Sequence, residues 1–108
     1  MASITREEAF LMFRKWLSEE TDLFCKTNLR SSRKKQMTCR IEGIKGDEVR
    51  LRLEAGAPVA FTIPTVAEFG YGEPQEFPDL PEKAVSALIV MVSPGSRERE
   101  TVTFVELS

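Results

Sequence analysis

A chain of 108 residues, 42% hydrophobic and 30% charged, has the length of one folded domain, residues 1–108, and is too apolar to stay disordered. Its 15 basic and 17 acidic residues leave a net charge of −2, so no overall field draws the molecule toward nucleic acid or an anionic membrane. With no histidine, Ser/His/Asp and Cys/His triads are excluded, and the commonest general base and metal ligand is missing.

The opening residues, MASITREEAF, have neither the charged leader nor the continuous apolar run of a secretory signal. The longest apolar run, Ala87 to Val92, falls far short of the roughly 20 residues of a membrane span. A cytoplasmic protein in a reducing compartment is the expectation, with no membrane contact. Cys25 and Cys39 then read as small core residues rather than as a disulfide or a metal pair.

Thr5-Arg6-Glu7-Glu8 has the form of a capping box, with Ile4 and Ala9 at staple positions. Ala9, Phe10, Phe13, Trp16 and Leu17 recur at helical spacing, extended by Met12, and predict a helix over about 5–19 with one wide apolar face. A first strand is expected over 23–29. Arg30 to Gln36 is polar and basic and reads as a hairpin tip leading into a strand over 37–43. Pairing these strands about residue 32 sets Cys25 opposite Cys39 and Leu23 opposite Ile41.

The stretch from Met37 to Ile63 has the alternation of an antiparallel β-meander, with strands over 37–43, 49–54 and 59–63. Keeping Cys39 against Leu53 and Ile41 against Leu51 favours a three-residue turn at Lys45-Gly46-Asp47. A bulge at Gly43 is the other solution. Residues 64–81 hold four of the prolines and read as one long loop, with Phe69, Tyr71 and Phe77 among its acids. A helical turn near 80–84 and a strand over 86–92 follow, a single helix over 80–91 being the alternative. Residues 93–99 are an exposed turn, and 101–107 a closing strand.

The sum is an α+β domain in which the N-terminal helix packs on a strongly bent antiparallel sheet or small barrel of five to six strands. That outline fits SH3-like, Sm-like and PilZ-like folds, and outline alone does not assign function.

For chemistry, the scattered glycines match no phosphate-binding loop, the carboxylates of the strands are expected to face water, and no cofactor is implied. The chain is read as non-enzymatic. Lys26 to Ile41 carries six bases and no acid, which makes Arg30, Arg33, Lys34 and Lys35 candidate anion-binding residues. A PilZ-type cyclic-dinucleotide site needs RxxxR followed by [DN]xSxxG; Arg30 and Arg33 are spaced RxxR and no such motif follows, so that family is not assigned. The outward positions of the meander lack the stacking aromatics usual in RNA-binding barrels. Phe69, Tyr71 and Phe77, amid Glu68, Glu73, Glu76 and Asp79, are the candidate partner surface. The favoured function is a protein-interaction or self-association module, with an unidentified protein partner or a second copy. Phosphate-ligand or nucleic-acid binding through residues 26–40 is the alternative.

Overall fold

The computed structural model describes residues 1–30, 35–54, 56–77, 79–95, 97 and 99–108. In chain order these form β1 (Ala2–Ile4), α1 (Arg6–Ser18), β2 (Leu23–Thr27), β3 (Gln36–Lys45), β4 (Glu48–Leu53), β5 (Pro58–Thr62), β6 (Glu68–Gly72), a 3-10 turn at Pro74–Glu76, β7 (Ala84–Met91) and β8 (Thr101–Leu107). The strands make one antiparallel sheet in the order β1-β6-β7-β8-β2-β3-β4-β5. The α+β class with a single N-terminal helix is as expected. The strand count is not. Eight strands replace the expected five or six, and the sheet stays open, with β1 and β5 as its edges.

The helix forms where its cap predicts. Thr5 Oγ1 accepts from the Glu8 N–H at 3.1 Å, and the Thr5 N–H donates to Glu8 Oε1 at 3.0 Å. The Thr5 backbone N–H, and after it the Thr5 hydroxyl, hold the Glu8 carboxyl below its ordinary value. Ala9, Phe10, Phe13 and Trp16 are buried against the sheet, and Phe13 meets Phe104 edge-on at 5.2 Å. Leu23, Cys25, Cys39, Ile41, Val49, Leu51, Ile63, Phe69, Leu88, Val90 and Val102 complete this core. Trp16 Nε1 donates to Glu106 Oε1 at 2.7 Å, which satisfies the one polar atom of a fully buried ring.

The sheet must curl around α1. In a flat sheet β5 and β6 would lie six strand spacings apart, about 29 Å. Arg6 reaches groups beside both. Its guanidinium donates to the carbonyls of Pro64 and Ile63, each at 2.9 Å, and to Asp47 Oδ1 at 2.8 Å, and it lies 5.9 Å from the centre of the Phe69 ring.

Three local expectations are corrected. Residues 64–81 are not one loop, because β6 lies within them, paired to β7 and β1. Leu23 faces Cys39 and Cys25 faces Met37, two residues from the expected register, so the cysteines are diagonal rather than opposite. The meander keeps Cys39 against Leu53 and Ile41 against Leu51, yet through the other solution: a bulge between Ile41 and Gly43 and a two-residue Gly46-Asp47 turn. Gly46 supplies the positive φ, 59°, that a two-residue hairpin turn demands of its first position. Of the two readings of residues 80–92, the turn followed by a strand is the one present: Pro81–Ala84 is a single turn, closed by Ala84 N–H to the Pro81 carbonyl at 3.1 Å, and β7 spans Ala84–Met91.

Candidate functional site at the open edge of the sheet

Strand alternation separates the three aromatics expected to form a partner surface. Phe69 and Tyr71 lie on the helix side of β6, where Phe69 is only 3% exposed and packs in the core. Phe77 sits on the opposite side: a Cβ placed on Gly72 would come within 2.9 Å of its ring. Phe69 is therefore removed from any docking surface, and the three rings make no common patch. What looked like an aromatic loop is a strand whose aromatics point inward and whose glycines, 70 and 72, let Met1 and Phe77 lie over its outer face.

The basic segment is also partly spoken for. Arg40 Nε donates to Asp22 Oδ1 at 2.6 Å, and the bond and charge of Asp22 hold the guanidinium above its ordinary value. Lys35 Nζ donates to the Leu29 carbonyl, and the Arg30 backbone N–H to Glu100 Oε2 at 3.1 Å. Arg33 and Lys34 lie outside the described residues.

Among the described residues the surface includes these concavities. One of about 440 Å³ lies where Asp22, Arg40, Arg52, Glu54, Lys83 and Ser108 meet at one end of the sheet, its charges of mixed sign. A second of about 440 Å³ runs between the exposed flank of α1 at Leu11 and Arg14 and the Gly46-Asp47 turn. The third, about 240 Å³, lies between Phe77, Leu80 and the outer faces of Lys26 and Thr103. None brings together a nucleophile, a base and an oxyanion donor in the manner of an active site. Among the described residues no helix is long and apolar enough to span a membrane.

The most distinctive feature is an edge. Ile63 N–H donates to the Asp47 carbonyl at 2.9 Å and Leu53 N–H to the Ala57 carbonyl at 3.0 Å, with Val49 opposite Phe61 and Leu51 opposite Val59 between them. Antiparallel bonding alternates, so residues 57, 59, 61 and 63 bond toward β4, whereas Pro58, Ala60 and Thr62 turn their backbone groups outward. Pro58 has no N–H to offer. The edge thus presents the N–H groups of Ala60 and Thr62 and three carbonyls, and among the described residues nothing bonds to them. Val59 beside them is 40% exposed, although it shares the helix-side face with Phe61.

The sequence does carry a signal for this edge. Only two long stretches of the chain carry no charge, Ala55 to Ala67 and Ala84 to Ser96. The second contains β7, a central strand, where absence of charge is ordinary. The first contains β5. Exposed edges commonly carry lysine or other charge to block pairing, and this one has only Pro58. Which of the two stretches is central depends on strand order, and periodicity does not supply strand order. Comparison with protein-family models, with curated proteins and with solved structures finds no match to this chain.

Proposed function

We propose that this protein is a non-enzymatic binding module that works by strand addition, pairing an extended segment of a protein partner or of a second copy with β5. The observation that carries this reading is the pair of outward, unbonded N–H groups at Ala60 and Thr62 on an uncharged edge beside half-exposed Val59. Unpaired N–H and C=O groups in a row are a template for another chain, and the main-chain bonds would supply affinity while Val59 and Phe61 select the incoming side chains. The phosphate-ligand or nucleic-acid reading has less support, because Arg40 is tied to Asp22 and Lys35 to a carbonyl.

Ala60→Pro tests the module directly. It deletes an outward N–H, leaves every bond to β4 in place, and suits an edge strand. A panel of displayed extended peptides should be retained by the wild-type chain and lost, by tenfold or more, from the folded Ala60→Pro variant. Retention that is equal for both, or self-association unaffected by the substitution, sinks the edge as the binding site.

A further inference from the structure

The geometry points to a second copy of this chain as the strand that β5 takes up, antiparallel, with Ala60 of each copy facing the other across a two-fold axis. This rests on the strand-addition reading of β5 and adds to it the identity and register of the added strand.

The outward groups decide the register. Only residues 58, 60 and 62 can bond across the edge, so Ala60 can face 58, 60 or 62 of the other copy. With Ala60 facing Ala60, the two strands overlap over their whole length, Pro58 opposite Thr62 at both ends. Each Ala60 N–H then reaches the other Ala60 carbonyl, and each Thr62 N–H reaches the other Pro58 carbonyl. Every outward donor is satisfied, and the missing proline N–H falls at the end of the ladder. Sliding by two residues to set Phe61 against Phe61 leaves Pro58 facing Pro64, which lies beyond the strand and whose carbonyl already accepts from Arg6.

Side chains agree with this register. Val59 falls opposite Phe61 in a non-hydrogen-bonded pair, the closer of the two antiparallel spacings, so the half-exposed valine is covered by an aromatic ring on the same face. Ala60 is small enough to meet itself on the axis. Charge favours a copy over an unrelated charged peptide. A two-fold axis places like against like, and here it brings together two uncharged stretches, 55–67, in a chain that is 30% charged. The nearest charges on β4 are already paired, Arg50 with Glu48 at 2.7 Å and Arg52 with Glu42. A five-residue edge buries less than the roughly 1,200 Å² of a standard interface, so the dimer is weak and concentration-dependent.

Cysteine scanning with backbone amide exchange tests this. Ala60→Cys leaves the backbone donor intact, and facing positions of a bonded pair lie about 5.5 Å apart, within disulfide reach. Thr62→Cys places its thiols four residues apart along the strands, about 13 Å, out of reach. Expected on mild oxidation is a covalent dimer from Ala60→Cys and monomer from Thr62→Cys. In the wild type, exchange at Ala60 and Thr62 should slow several-fold with concentration while Val59 and Phe61 stay protected throughout. Equal cross-linking at both positions overturns the register. Concentration-independent exchange with no cross-link overturns the second copy as occupant; if Ala60-dependent peptide retention persists, strand addition itself stands. Loss of both overturns the two readings together.

Discussion

Cys25 and Cys39 show at the scale of single residues how burial decides chemistry. Both are free and buried. Burial pushes the Cys39 thiol up from 9.0 to about 12, and burial, reinforced by the nearby Cys39, pushes Cys25 up as well. Neither is a nucleophile at neutral pH, since the thiolate is the reactive form. A thiol-specific reagent at pH 8 should therefore label neither until the protein unfolds, and labelling in the native state faster than global opening would contradict the buried placement. The sign for stability follows. A folded-state value raised above the unfolded one means the contribution is complete below pH 9 and is lost as pH climbs from 9 toward 12. Urea midpoints should fall across that window, and replacing both cysteines by alanine should flatten the fall.

At the scale of elements, β6 is hidden in the sequence by its own glycines and the prolines that follow it. Glu68-Phe-Gly-Tyr-Gly72 alternates large and small with period two, but glycine reads as a turn signal, and two prolines follow within six residues. The structure gives the glycines their purpose. A Cβ at Gly72 would meet Glu76 Oε2 at 2.5 Å and Phe77 at 2.9 Å, while one at Gly43 would meet nothing within 4 Å. Gly72→Ala should thus cost about 1–3 kcal/mol by lifting the 3-10 turn off the strand. Gly43→Ala should change stability by less than about 0.5 kcal/mol. Thermal melts of the two variants compare them directly, and equal losses would mean that contact over β6 is not what requires glycine there. The bulge beside Gly43 also shows why parity selected the wrong turn: one extra residue can be absorbed in the strand as well as in the loop, and alternation is blind to which.

Over the whole molecule, Arg6 at the start of α1 spans the two sides of the curled sheet, bonding to residues 63 and 64 just past β5 and lying over Phe69 of β6. Arg6→Ala would leave the carbonyls of Ile63 and Pro64 and the Asp47 carboxylate without their donor, and would remove the cation over the Phe10 and Phe69 rings. The expected loss is about 2–3 kcal/mol. Arg6→Lys should recover only part, since an ammonium cannot reproduce the fork. Urea denaturation measures both, and a neutral Arg6→Ala would mean packing alone holds the curl. The capping box at Thr5, the apolar face of α1, the meander and the inward sets of Cys39, Ile41, Leu51 and Leu53 were all legible in the sequence, because they follow from spacing along the chain. Strand order, the short β1, the inward turn of Phe69 and the exposure of β5 were not. Those depend on which strands become neighbours, and only the folded sheet, curled about α1 and left open between β1 and β5, makes that choice.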